Sequence, residues 1–599
     1  PFYQDPLFAY LLAGLMALVG PGFAALRIAL ACVGSLTPLA VFWAGRKGLG
    51  RAEGIVAGLV TAVYRPLIFN DGLLEKEGVG ALVAALALGL TARAAAPERE
   101  GRGVGVAGFA WGVLALLRAN ALLVGPLGVA WCLWTFGARG GRGPGLRRAL
   151  AFSSGFGIAV APAIVINAVV ADPPELLLTT WQAGANFYIG NGPEARGNYT
   201  KLPFVIDNPS FEADNFMSEA RRRTGRRLSP GEVSRFWFHE GLRRWETDPV
   251  DSVRLLAWKL ALLANDFEIF DNQSEELVRS VVAPALGWGF LSFGWLLPWA
   301  ALGLARERAD RTPFWWFLAL STLGGLLSTA VFFVVGRYRI PWIPGLALLA
   351  AAGGVDAARR LASGRWKGLA WRVGLLALPA AILAWAPTAA SLTPERWSLF
   401  YVKMITAYDV AGRLDEALDA MDDARALDPR MADYLHSTLD SSLAREQKLR
   451  LSREVARLVA AERMHDDAES TLRIIRWLRL LPDGPGREES RRLLEEALET
   501  HPDDPRLHRE LGAWWLGDRN DPDARRRAKE ELDRASRGPA GDPSAAILFA
   551  LVSGDPRQLE RPSLHRLGRD STRLRMARAS LAAGKSIAAT IDRTAPESR

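Results

Sequence analysis

Residues 22–45 read GFAALRIALACVGSLTPLAVFWAG, and Arg46, Lys47 and Arg51 follow at once. A hydrocarbon core about 30 Å thick takes about 20 predominantly apolar residues in a helix, so this stretch spells a membrane span. The basic cluster behind it marks a cytoplasmic loop, because Arg and Lys near a span end stay on that side. Working outward, the pattern recurs at 52–70, 78–93, 103–119, 121–137, 149–171, 281–305, 313–335, 340–356 and 368–390, which makes about ten spans. Basic residues then fall into alternate loops: Arg93, Arg99 and Arg102; Arg139, Arg142, Arg147 and Arg148; Arg306, Arg308 and Arg311; Arg359, Arg360, Arg365, Lys367 and Arg372. The other face receives Asp71 to Glu77, Arg118, the polar segment 172–280, the GRYRIP loop at 336–341 and everything after 390. That face is expected to be the periplasm or cell exterior of a bacterial inner membrane.

Composition agrees with two chemically different halves. The chain has 599 residues, 21 Trp, 50% apolar content and a mean hydropathy of +0.07, which excludes a wholly soluble or disordered protein. Residues 1–392 hold the long apolar runs, whereas 393–599 are dense in Arg, Asp and Glu with no run long enough to cross a bilayer. Cys32 and Cys132, the two cysteines, sit inside apolar runs and exclude a disulfide framework. The net charge of +9 lies largely in short inter-span loops, so topology explains it and no nucleic-acid partner is expected. Residues 6–20 are too short for a comfortable crossing and read as a helix at the outer interface. Without an initiator Met or a first anchor, the chain is expected to begin inside a longer protein.

In the tail, YVKMITAYDVAGRLDEALDAMDDARALDP places Tyr401, Met404, Tyr408, Ala417, Met421, Ala424 and Pro429 at the spacing of a tetratricopeptide helix pair. A partial second match runs through Ala497, Pro502, Leu511, Gly512, Trp515 and Ala524. The expected fold class is therefore all-α, a polytopic membrane domain (1–392) followed by a soluble α-solenoid of three to five helix pairs (393–599), whose repeats would serve a protein partner.

No histidine pair has metal-ligand spacing, and GFG at 155–157 lies in a span where close helix packing is its use. No metal or cofactor is expected. Ionisable groups at the membrane mouth say more, because a charge there is costly unless it faces a cavity or a partner. Asp71 and Glu75, four apart, would share one face of a helix continuing the span 52–70, so that one could accept a proton while the other orients the acceptor. Arg118 interrupts an apolar run. Arg337 and Arg339 flank Tyr338 on the face where topology disfavours Arg, and guanidinium groups at headgroup depth suit an anionic phosphate.

At these residues PFYQDPLFAYLLAGLMALVG and ALRIALACVGSLTPLAVFWAGRKGLGR resemble the early region of membrane glycosyltransferases of the C-type fold. That group contains the protein O-mannosyltransferases (glycosyltransferase family 39) and the aminoarabinose transferase of lipid A. YRPLIFNDGLLEKE resembles the stretch with that group's second acidic residue, and GRYRIPWIPGLALLAAAG its late loop and span. NFYIGNGPEARGNY and the segment GRRLSPGEVSRFWFHEG through LLANDFE resemble the periplasmic segment of bacterial members with tetratricopeptide tails. The resemblance covers roughly residues 1–429. It implies transfer of a sugar, with inversion, from a polyprenyl-phosphate carrier to a lipid, glycan or protein acceptor on the outer face, in contact with membrane lipids. It leaves Asp71 or Glu75 a secondary acidic role and gives Arg337, with Arg118, Arg339 and Tyr338, the phosphate. The principal carboxylate of the group lies just upstream of PFYQDP and so outside this chain, which is then expected to be inactive; Asp5 does not replace it. The competing reading is a membrane-anchored tetratricopeptide scaffold that binds protein partners without catalysis. Such a scaffold has no reason to hold an outward cavity lined by Asp71, Glu75 and Arg337. A transporter would instead need polar or broken helices meeting at the bilayer midplane.

Overall fold

The computed structural model describes residues 1–99, 101–171, 174–200, 202–205, 209–271, 273–279, 283–288, 290–307, 310–386, 468–478, 485–517, 521–538 and 540–567, with Tyr401, Met404, Tyr408 and Ala420. The chain divides into two compact units, Pro1–Ala390 and Ser391–Arg599.

The first unit is a polytopic α-helical membrane domain. Its helices are α1 (Leu7–Val19), α2 (Phe23–Gly34), α3 (Thr37–Gly48), α4 (Arg51–Ala62), α5 (Arg65–Asp71), α6 (Glu77–Ala95), α7 (Val104–Leu117), α8 (Val124–Gly140) and α9 (Arg142–Val170). The polar segment contributes α10 (Ala183–Asn191), α11 (Pro209–Thr224), α12 (Pro230–Thr247), α13 (Pro249–Ala264) and the single turn α14 (Glu275–Leu277). Last come α15 (Phe293–Leu304), α16 (Pro313–Val331), α17 (Ile343–Ala362), α18 (Trp366–Arg372) and α19 (Leu378–Trp385).

Seven helical stretches among the described residues are long and apolar enough to cross a bilayer: Phe23–Gly48, Glu77–Ala95, Ala119–Ala138, Arg142–Val170, Pro313–Val331, Gly336–Ala362 and Trp366–Trp385. The expectation of ten is corrected at three places. Val104–Leu117 and Phe293–Leu304 are apolar but shorter than a full crossing. The run 52–70 is broken outright: Leu291 N–H donates to Val63 O and Arg65 N–H to Leu291 O, each at 2.9 Å, so Tyr64 forms an isolated parallel bridge with Leu291. Pro66 sits in the first turn of α5, where its missing N–H is tolerated, whereas it could not continue α4 because it has no N–H to give to the carbonyl four residues back.

Small residues let the helices close up. α6 is buried along nearly its whole length, with Gly78, Gly80, Ala81, Ala84, Ala85 and Ala87 inside. A Cβ at Gly155 of α9 would stand 1.9 Å from Gly105 O of α7, and one at Gly108 would stand 2.1 Å from Phe152 O. Side chains larger than hydrogen at those two positions would force the helices apart, the small-residue contact typical of membrane helix pairs.

The polar segment has its own apolar cluster around fully buried Trp237, against which Phe204 stacks at a centroid distance of 5.2 Å. Ser229 caps α12 through a capping box with Glu232. α13 packs on α16, which ties this segment to the membrane helices.

In the second unit, helices Ala468–Leu478, Pro485–Thr500, Pro505–Leu516, Ala524–Ser536 and Pro543–Ser553 each pack on the next. Leu494, Ala497, Leu507, Leu511, Trp514 and Trp515 form their shared core. The partial second repeat match falls on this hairpin series. The first, 401–429, lies outside the described residues apart from Tyr401, Met404, Tyr408 and Ala420.

Candidate active site

The site grows from one end of α6. Glu77 begins that helix, where an acidic side chain opposes the positive end of the helix dipole, and its side chain is wholly buried. Arg118 leaves α7 in an extended conformation. Its Nη2 donates to Glu77 Oε1 at 2.8 Å, and its Cζ lies 4.3 Å above the Tyr338 ring. That ring belongs to the 3₁₀ helix Gly336–Trp342, which also carries Arg337 and Arg339.

The two arginines part ways. Arg337 Nη2 donates to Asp271 Oδ2 at 2.6 Å and its Nη1 to Glu75 Oε2 at 3.3 Å, with Glu77 Oε1 3.9 Å from Nη1. Arg337 also lies near the Tyr338 ring, 5.5 Å from Cζ to centroid, so both guanidinium groups share Tyr338 and Glu77 Oε1 as neighbours. Arg339 is 1% exposed. Its Nη1 donates to Leu263 O at 3.2 Å and Asn265 O at 2.6 Å, its Nη2 pairs with Glu268 Oε1 at 2.7 Å, and Phe293 covers it at 4.1 Å. This side chain is consumed in holding the end of α13, which separates it from the phosphate role that its sequence position suggests.

Glu75, Asp271, Glu275, Arg337, Phe69 and Leu73 line a cavity of about 350 Å³ that includes open solvent. Glu275 is 4% exposed and ion-paired with Arg65, yet its Oε2 has no hydrogen-bond partner. Burial and the neighbouring Glu268 charge push its carboxyl up to about 7.

Asp71 ends α5, so the helical four-residue relation to Glu75 is not formed; Glu75 lies in the 72–76 connection. Its carboxyl lodges between two helices at their glycines. A Cβ at Gly34 would be 2.2 Å from Asp71 Cγ, and one at Gly78 would be 2.1 Å from Oδ1. Oδ1 is buried without a hydrogen-bond partner, and burial pushes the carboxyl up to about 7. Asp71 is not among the residues lining the cavity. Asp5 is held by Lys76 and accepts from Ala119 N–H at 3.0 Å.

The structure therefore brings Glu75, Arg118, Arg337 and Tyr338 together, lodges Asp71 apart from them between Gly34 and Gly78, and turns Arg339 away. Sequence reasoning missed Asp271, Glu275 and Arg65 and undervalued Glu77. The acidic run NDFEIFDNQSEE at 265–276 was the available signal, since so many carboxylates directly after an apolar helix need cations from elsewhere.

Residues 3–164 match the sequence pattern of a family described as dolichyl-phosphate-mannose-protein mannosyltransferase. No curated protein matches. Two solved structures resemble the chain: the apo oligosaccharyltransferase of Archaeoglobus fulgidus (16% identity, TM-score 0.35) and oligosaccharyltransferase AglB of the same organism in complex with an inhibitory peptide and a dolichol-phosphate (13% identity, TM-score 0.34). Each comparison covers 68% of this chain and 51% of the other, so the chain spans about half the length of those it matches. The match over residues 3–164 makes the first part of the membrane unit similar to the dolichyl-phosphate-mannose-protein mannosyltransferases, a likeness that bears on those residues of the unit alone.

Proposed function

We propose that the protein transfers a sugar from a polyprenyl-phosphate carrier to an acceptor hydroxyl on the outer face of the membrane. The observation that carries this reading is the convergence of Arg337, Arg118, Glu75 and Glu77 at one end of the membrane helices, within the unit whose first 164 residues bear the mannosyltransferase pattern. Basic residues gather at the opposite helix ends, Arg46 and Lys47 on α3, Arg93 on α6, Arg359 and Arg360 on α17, which supports an outward-facing site.

Chemically, a base takes the acceptor proton, the acceptor oxygen bonds to the anomeric carbon from the face opposite the leaving group, and the bond from that carbon to the phosphate oxygen breaks with inversion. The departing phosphate keeps the electron pair. Arg337 meets that charge with Arg118 behind it, and stabilisation of developing charge by preorganised donors is usually the largest catalytic term. The assay uses the protein in its full length.

The test is transfer from a polyprenyl-phosphate sugar by that protein in membranes. Arg337→Ala is expected to lower turnover about 100-fold to 1,000-fold, while Arg147→Ala, an exposed arginine at the opposite helix ends, leaves it within a few-fold. Arg337→Lys keeps the charge but loses the planar fork and recovers only part of the rate. Wild-type turnover by Arg337→Ala at equal expression would remove Arg337 from the site.

A further inference from the structure

The guanidinium that this mechanism offers to a lipid phosphate is already occupied. Asp271 Oδ2 takes Arg337 Nη2 at 2.6 Å, the shortest of its contacts, while Glu75 sits at 3.3 Å and Glu77 at 3.9 Å on Nη1. Nη2 and Nε form one edge of the guanidinium, and along that edge Nε is buried with no hydrogen-bond partner. Asp271 thus fills half of a two-pronged donor set. Carboxylate and phosphate oxygens want the same fork, so the two cannot hold that edge together.

We infer that Asp271 stands in for the phosphate on Arg337, and that the donor binds by exchanging this carboxylate for a lipid-borne phosphate that takes Nη2 and Nε together. The inference rests on the phosphate role proposed for Arg337. Exchange of a singly charged carboxylate for a singly charged phosphodiester leaves the charge around Arg337 unchanged, so Glu75, Glu77 and Arg118 need not repack. It also makes Asp271 a specificity-determining residue. A tethered carboxylate competes at high effective concentration, so a small anion from solution is refused, whereas a phosphate that brings its prenyl chain and sugar gains enough from those contacts to displace it. Asp271 precedes α14 and lies just beyond Ile269, whose carbonyl accepts from Gly336 N–H at 2.7 Å, so the exchange asks only that its side chain turn while the backbone stays held there and at Arg339.

Binding of a polyprenyl-phosphate sugar, the phosphodiester itself, to the full chain in phosphatidylcholine nanodiscs tests the exchange. Apparent affinity equals the intrinsic value scaled by the fraction of Arg337 left uncovered, so Asp271→Asn should bind at least about tenfold more tightly than wild type. Asp271→Ser should do the same, which guards against a misfolded variant. Arg337→Ala should bind weakly, with or without Asp271→Asn. If Asp271→Asn and Asp271→Ser bind equally or less tightly while Arg337→Ala is weak, the exchange is wrong and the phosphate role of Arg337 stands. If Arg337→Ala binds as wild type does, the phosphate role itself falls, and the exchange with it. In nanodiscs containing phosphatidylglycerol, a gain confined to the polyprenyl-phosphate sugar supports the donor as the occupant; an equal gain for phosphatidylglycerol overturns it.

Discussion

Asp71 occupies a space that exists only because two helices present glycine to it. Gly78→Ala would put a methyl group 2.1 Å from Oδ1, and overpacking of this kind costs about 1–3 kcal/mol; the expected outcome is a lower unfolding midpoint together with reduced transfer. The carboxyl also predicts a pH dependence. Its folded value, about 7, is raised above the ordinary 3.8, so the stability tied to its neutral form is fully present below about pH 3.8 and is lost as pH rises through 7. Thermal unfolding of Asp71→Asn between pH 5 and 8 should be correspondingly flatter than that of wild type. Much of this neighbourhood is legible in YRPLIFNDGLLEKE: Pro66 announces the break and Gly72 the end of α5. The helical pairing of Asp71 with Glu75 fails because that stop signal outweighs the four-residue spacing. Arg337 was readable as a cation on the unfavourable face. Its partner Asp271 was not, since nothing local says which of the carboxylates in 265–276 an arginine 66 positions away will choose.

The connection from α13 to α14 shows how an element can depend on a single distant side chain. Its carbonyls at Leu263, Asn265 and Phe267 and the Glu268 carboxylate all turn to Arg339, and Asn265 Nδ2 adds bonds to Ala384 O and Ala386 O at 3.0 and 2.9 Å. Removing one partner of a buried ion pair costs about 3–5 kcal/mol. Arg339→Met should therefore destabilise the protein by roughly that amount, seen as a shift in denaturant midpoint. In the helix Pro505–Leu516, His508 Nδ1 faces Glu531 Oε2 at 2.6 Å and Nε2 faces Pro502 O at 2.7 Å. Two acceptors ask for a doubly protonated ring, and the Glu531 hydrogen bond raises its pKa above the usual 6.5. That stabilisation is fully present below about pH 6.5 and lost as pH rises through the higher folded value. His508→Gln should flatten tail unfolding across this range, measured by the far-UV signal.

For the whole molecule, the alternation of basic loops was legible because a bilayer selects charge by side, whereas span lengths were not, because a broken helix and a straight one share the same hydropathy. The topology is tested at Ala540, an exposed tail residue beside the capping Asp542. With Cys32 replaced, Ala540→Cys should react with an impermeant maleimide in intact spheroplasts; reaction only after lysis would put the tail in the cytoplasm. The dependence of residues 263–267 on Arg339 has a bearing on how the chain is made. Their carbonyl partner is 72 to 76 positions downstream, and a ribosome adding roughly 5–20 residues per second delivers it about 4–15 s later. During that interval the carbonyls of 263, 265 and 267 lack the guanidinium that holds them in the finished protein. A chain truncated before residue 339 is expected to be degraded faster than one truncated just after it, which pulse-chase measurement of the two lengths would check.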